Sequence, residues 1–123
     1  MALDTDRRRQ LHALKLKSLA ETYLGISLSD LNGTEDGAIG IKRHDDCVTA
    51  VILAEERCSR AIGVAMAAAT KVEADVIHIF VKEEAGSLAS AAELFRNSPT
   101  VWELNDRIAT RAVAVYPTSK TVA

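Results

Sequence analysis

The sequence predicts an α/β fold, a single domain whose mixed sheet contains a parallel β-α-β crossover. An apolar run at 48–54, an alanine-rich helical stretch at 58–73 and a second apolar run at 75–81 have the spacing of a right-handed crossover. Both faces of the run 48–54 are apolar, which is typical of a strand covered on two sides. The length of 123 residues suits one domain with its own core, so we expect residues 1–123 to form one domain.

A leading helix is predicted over residues 6–24. Leucine, alanine and tyrosine recur there at spacings of three and four, which gives one apolar stripe. Thr5 is the expected N-cap and Gly25 the expected stop. The following stretch 29–37, SDLNGTEDG, has the composition of turns, and a loop is expected there.

The short run AIGIK at 38–42 predicts a strand that forms a hairpin with 48–54 across the polar residues 43–46. In the helical stretch 58–73, apolar residues surround nearly the whole circumference. We therefore expect this helix to be buried on more than one side, either under a second layer or against a partner subunit. This expectation is the main reason for predicting a homo-oligomer.

The C-terminal third is predicted to add one helix and two strands. The helix is expected at 87–96, and the strands at about 100–105 and 109–116. Residues 117–123 are polar and are expected to form a frayed tail.

Composition and charge narrow the class of protein. The net charge of -2 gives no general attraction to nucleic acid or to acidic lipid. No apolar run approaches the roughly 18 residues of a membrane span, so no membrane partner is expected. The absence of a secretory pattern and the presence of only two cysteines predict free thiols and a cytoplasmic location. The basic residues of the leading helix are weak candidates for contact with nucleic acid: Arg7, Arg8, Arg9 and Lys15.

Charged triplets follow both strands of the predicted crossover. Parallel strands end at the same edge of a sheet, where ligands of open α/β sheets bind. The candidate ligand-binding residues are therefore Glu55, Glu56 and Arg57 after the first strand, and Lys82, Glu83 and Glu84 after the second. The alternative is that these are solvated charges that end the strands and favour the following helix N-termini.

The order of acidic residues and elements resembles the core of nucleases of the restriction-endonuclease type. Asp36 precedes the first strand of the hairpin, Glu55-Glu56-Arg57 ends the second, and helix, strand and helix follow. The resemblance implies a catalytic set drawn from Asp36, Glu55, Glu56 and Arg57, with Mg²⁺ held by the carboxylates. The sequence departs from that pattern in two ways. Arg57 stands where the family has a lysine that orients the attacking water, and the triplet follows the strand instead of lying within it.

Three hypotheses about function follow. The first is a non-enzymatic α/β binding domain without a cofactor, which acts as a homo-oligomer and binds a partner protein or a small ligand. The second is a metal-dependent nuclease or phosphodiesterase that uses Mg²⁺ and touches nucleic acid through its basic helix. The third is a small-ligand-binding domain that uses the charged strand ends. No complete catalytic set is present in the sequence, which favours the first hypothesis and a protein that is not an enzyme.

Overall fold

The computed structural model describes residues 2–82, 100–104 and 109–111, and they form a six-stranded mixed sheet with a helix on each face. Two helices are present in these ranges, α1 (Ala2–Leu19) and α2 (Cys58–Lys71), and α1 continues as a π-helical turn (Ala20–Leu24). The strands are β1 (Asp30–Gly33), β2 (Gly37–His44), β3 (Cys47–Ala54), β4 (Val76–Lys82), β5 (Thr100–Leu104) and β6 (Ala109–Arg111).

The strands lie in the sheet in the order in which they occur in the chain. The strands β1, β2 and β3 are antiparallel neighbours, β4 and β5 continue parallel to β3, and β6 returns antiparallel to β5. The helix α2 connects β3 to its parallel neighbour β4. The predicted α/β class, the hairpin and the parallel crossover are therefore confirmed.

The leading helix covers one face of the sheet through residues spaced four apart. Leu16 and Ala20 are fully buried against a cluster that includes Val51, Leu53 and Phe80. The helix begins at Ala2, before the predicted N-cap, because no glycine or proline in the first turn interrupts it. At the other end Gly25 has a φ of 64°, and its N–H bonds to the carbonyl of Ala20, so the predicted stop is confirmed.

The prediction of a loop over 29–37 is wrong, because β1 lies within it and pairs with β2. The strand is short, it forms an edge of the sheet, and only Leu31 packs against the core, so its sequence carries no apolar alternation. Gly33 is needed for its packing, since a Cβ there would collide with the backbone carbonyl of Arg9. The helix α1 therefore lies in direct contact with the backbone of β1.

The central strand β3 is covered on both faces, as its sequence predicts. Val51 and Leu53 face α1, whereas Ala50, Ile52 and Ala54 belong to the cluster under α2. All five are buried at 1% exposure or less. Burial of apolar side chains on both faces of one strand fixes the register of its pairing, because a slip of one residue would exchange the two faces.

Among the described residues, only the side of α2 that faces the sheet is covered. Ala61, Ile62, Ala65 and Ala69 face the sheet, but Val64 on the outer side is 57% exposed. The described residues do not cover the outer side of α2, and its burial under a second layer or against a partner subunit stays a prediction. Alanine and glycine add little apolar area, so an alanine-rich helix does not require a second covering layer.

Several predictions fall on residues that the structure does not describe. These are the helix at 87–96, the ends of the C-terminal strands at 105 and 112–116, and the tail at 117–123. Single-domain organisation of the whole chain stays a prediction for the same reason. Among the described helices, none combines the length and the apolar character that crossing a membrane requires.

Candidate functional site

The candidate site lies at the edge of the sheet where β2 begins and where β3 and β4 end. Gly37 is the cross-strand partner of Ala54, so the residues that flank this pair, Asp36 and Glu55, are neighbours. The carbonyl of Asp36 accepts hydrogen bonds from the N–H groups of both Glu55 and Glu56, each at 2.9 Å. Three of the sequence-predicted carboxylate residues, Asp36, Glu55 and Glu56, are therefore joined through the backbone.

A tight turn before β2 places Asp36 in this position. The N–H of Thr34 donates to the carbonyl of Gly37 at 2.7 Å, and the N–H of Gly37 donates to Oγ1 of Thr34 at 2.9 Å. A Cβ at Gly37 would collide with the carbonyl of Leu53, so only glycine permits this approach of β2 to β3. The turn leaves the Asp36 side chain only 10% exposed.

Two arginines neutralise the carboxylate of Asp36. Arg57 Nε donates to Oδ1 at 2.9 Å, and Arg60 Nε lies 3.8 Å from Oδ2. Arg57 immediately precedes α2 in a left-handed conformation with φ 43° and ψ 58°, which is unfavourable for a residue with a Cβ. The side chain of Arg57, the third residue of the charged triplet, therefore contacts Asp36 and does not extend in the direction of β3.

Glu55 is held differently from Asp36. Its Oε1 accepts a hydrogen bond from Lys15 Nζ at 2.6 Å, whereas its Oε2 is buried and has no hydrogen-bond partner among the described residues. The side chain as a whole is 18% exposed. An acceptor of a charged group that is buried without a donor is unfavourable by about 1–3 kcal/mol or more, so one oxygen of Glu55 lacks the cation or donor that its burial requires.

The side chains of the remaining sequence-predicted site residues that the structure describes form none of these ion pairs, and Glu56 is joined to Asp36 only through its backbone N–H. Glu56 is exposed, and so is Lys82 at the end of β4, although Ala54 and Val81 are paired and both strands end at the same edge. The other two charged residues predicted after β4, Glu83 and Glu84, lie outside the described residues. Arg7 and Arg8 are exposed on α1.

A cavity of about 350 Å³ adjoins the cluster. Asp36 and Arg60 form part of its lining, together with Arg9 from α1. The lining also has apolar residues, which include Ile39 of β2 and Val64 of α2. One cavity therefore connects the charged sheet edge with the outer surface of α2.

The chemistry of Asp36 and Glu55 suits a hard divalent cation. Mg²⁺ is bound in proteins by one or two carboxylates and keeps several waters, and the unpartnered Oε2 of Glu55 offers an oxygen for it. Within the described residues no group of three or more histidine, cysteine, aspartate or glutamate side chains surrounds a common point. Asp36 and Glu55 are joined through the backbone, and a cation held by both side chains would take its remaining ligands from water or substrate.

Sequence reasoning found Asp36, Glu55 and Arg57 but missed two cations of the cluster. Lys15 was predicted only as a surface contact for nucleic acid, because it is 40 residues from Glu55 in the chain. Arg60 carried no signal other than its place in the first turn of α2. Comparison of this chain with protein-family models, with curated proteins and with solved structures finds no match.

Proposed function

We propose that this chain is a Mg²⁺-dependent phosphodiesterase that cleaves nucleic acid, with Asp36 and Glu55 as the residues that hold the metal. The observation that carries the proposal is the buried, unpartnered Oε2 of Glu55 beside Asp36. Lys15 already satisfies the other oxygen, so a ligand at Oε2 must be a further cation or donor. A divalent cation meets this requirement and is the ligand that the order of elements and acidic residues implies.

Lys15 supports the proposal by supplying an ammonium group at the site. The nuclease pattern has a lysine two residues after the glutamate, and Arg57 in that position is instead bonded to Asp36. Lys15 brings its ammonium group to Glu55 from α1, with a side chain that is 46% exposed. It is therefore within reach both of Glu55 and of a water or phosphate at the surface of the site.

The arginines of the site suit a substrate with negative charge. The side chains of Arg57 and Arg60 are 58% and 63% exposed, so their guanidinium groups are accessible from solvent. Arginine donates in a planar fork that matches two phosphate oxygens. Bound Mg²⁺ supplies Lewis-acid polarisation of a phosphoryl oxygen and a more acidic water. The residues of the chain hold the substrate and offset its charge.

The test is cleavage of fluorescently labelled oligonucleotides by the purified protein in Mg²⁺, with EDTA as the control. We expect Glu55→Gln and Asp36→Asn to abolish cleavage, because each change removes a charged metal ligand while preserving shape. The matched control is Glu56→Gln, which removes a charge from the exposed neighbour and should leave activity intact. Cleavage that persists in EDTA, or that Glu55→Gln and Glu56→Gln affect equally, would contradict the proposal.

A second candidate is a non-catalytic binding domain that acts as a homo-oligomer. Two observations favour it: the carboxylate of Asp36 already has two arginine partners, and the outer face of α2 exposes Val64. Sedimentation equilibrium over a range of concentrations tests it. A mass above that of one chain, reduced to one chain by Val64→Asp, would support this candidate. A single-chain mass at every concentration would remove it.

A further inference from the structure

The cavity beside Asp36 has one charged end and one apolar wall. At the charged end, Arg60 lies 3.8 Å from Asp36, which is too long for a strong hydrogen bond. Within the described part of the chain, the Arg9 side chain makes neither a hydrogen bond nor an ion pair, yet it lines the cavity. The two arginines therefore share the charged end of the cavity with the carboxylates of Glu35 and Asp36, whose charge the proposed Mg²⁺ would offset.

The cavity is also lined by aliphatic side chains, several of which are on α2, the helix that carries Arg60. Val64 is 57% exposed in the isolated chain, and Ile39, Ala61 and Ala65 continue the surface inward. Covering apolar surface of this kind is favourable by about 25 cal/mol per Å². A ligand that matches both ends of the cavity must therefore join an anionic group to a flat or apolar body.

We infer that the cavity receives the base and sugar of one nucleotide, whose phosphate is bound by Arg9 and Arg60, and that the substrate is consequently single-stranded nucleic acid. The inference rests on the proposed function and specifies its substrate. A volume of about 350 Å³ is at the lower end of small-ligand pockets and suits one nucleotide but not a base pair. Bases of a duplex are stacked and paired, so they enter such a cavity only after extrusion from the helix.

The lining also indicates how the base would be read. None of the described residues that line the cavity is aromatic, so the base would contact aliphatic side chains and not a stacking platform. Asn32 lies at the same cavity and has an amide that both donates and accepts hydrogen bonds. We therefore expect a preference for single strands over duplexes that is stronger than any preference among the four bases.

The experiment measures binding without catalysis. Fluorescence anisotropy in EDTA compares a short fluorescein-labelled oligothymidylate with a labelled duplex of equal length. We expect the single strand to bind more tightly by about tenfold or more, which corresponds to about 1.4 kcal/mol. Val64→Asp should abolish this preference, whereas Ala67→Asp, which adds the same charge at an exposed position of the same helix, should retain it.

A second pair of variants tests the phosphate contact. We expect Arg9→Gln to lower the slope of log affinity against log salt for the single strand by about 0.7, the value for one lost phosphate contact. Arg43→Gln removes the same charge from an exposed position at the far end of β2, outside the cavity, and is the control. Equal slopes in the two variants would contradict a specific role of Arg9.

The outcomes separate this inference from the proposed function. Equal affinity for the single strand and the duplex, or equal effects of Val64→Asp and Ala67→Asp, would overturn the nucleotide cavity even if Mg²⁺-dependent cleavage is observed. Loss of single-strand binding in Val64→Asp alone would support the cavity even if the wild-type protein cleaves nothing. The binding results therefore test the nucleotide cavity, and the cleavage results separately test the proposed function.

Discussion

Replacing Glu55 with glutamine tests the metal site by its effect on stability. Glutamine keeps the shape of the side chain and removes the charge. In the wild-type chain Lys15 donates to Oε1, while Oε2 is buried without a partner. The substitution has two opposing effects on the free energy of unfolding. Weakening the ion pair with Lys15 lowers it, and removing a buried, incompletely solvated charge raises it.

The structure allows the size of both effects to be worked out. The Lys15 side chain is 46% exposed, so the pair contributes about 0–1 kcal/mol, and relief of the unsatisfied oxygen returns a similar amount or more. Without metal, the free energy of unfolding of Glu55→Gln should equal that of the wild type or exceed it by up to about 3 kcal/mol. With Mg²⁺ at a hundredfold excess over its dissociation constant, only the wild type should gain about 2.7 kcal/mol.

Differential scanning calorimetry converts this difference into a melting temperature. The unfolding entropy of a chain of 123 residues is about 0.26 kcal/mol per kelvin, so Mg²⁺ should raise the wild-type Tm by about 10 °C. Glu55→Gln should show no Mg²⁺-dependent rise, and Glu56→Gln should show the full one. Sodium chloride of equal ionic strength controls for salt. An equal Mg²⁺-dependent rise in the wild type and in Glu55→Gln would refute the role of Glu55 as a ligand.

The remaining predictions concern packing and are checked by urea unfolding. Gly33→Ala should destabilise the chain by about 1–3 kcal/mol, because the new Cβ collides with the carbonyl of Arg9 and α1 must move from β1. Gly63→Ala is the matched control, since a Cβ there meets nothing within 4 Å, and it should stabilise α2 by about 0.5–1 kcal/mol. Ile62→Ala should cost about 2–5 kcal/mol because Ile62 is fully buried between α2 and the sheet. Val64→Ala should change stability by less than about 0.5 kcal/mol because Val64 faces outward. Equal losses in Ile62→Ala and Val64→Ala would show that the sides of α2 are wrongly assigned.

The central part of the fold was predictable because its strands are long and apolar. The runs that became β3 and β4 are buried on both faces, and the alanine-rich stretch between them has the length of a crossover helix. The edge strand β1 was not predictable in this way. Only Leu31 faces the core, and the strand depends on pairing with β2 and on Gly33 beneath α1, which are both tertiary features.

The candidate site was predictable to the extent that it depends on the hairpin. An antiparallel pair brings the residue before its first strand beside the residue after its second, so Asp36 and Glu55 had to be neighbours. Lys15 and Arg9 reach the site from α1, and their positions depend on how that helix crosses the sheet. The angle between α1 and the strands cannot be derived from local spacing or composition. The position of Lys15 and Arg9 beside this site was therefore found only in the structure.

The choice between an enzyme and a binding domain reduces to competition for the carboxylate of Asp36. Its arginine partners, Arg57 and Arg60, are more than half exposed, so each ion pair is worth about 1 kcal/mol or less and is weakened further by salt. A phosphate group offers the same guanidinium groups two oxygens in a matching geometry. Under the proposed function, a substrate phosphate would therefore draw the arginines from Asp36 and free its oxygens for a cation. Because coupling between two ligands is reciprocal, a cation at Asp36 and Glu55 must in turn favour phosphate at the arginines. The ion pairs that neutralise Asp36 in the free chain are thus compatible with a metal site that is completed only together with its substrate.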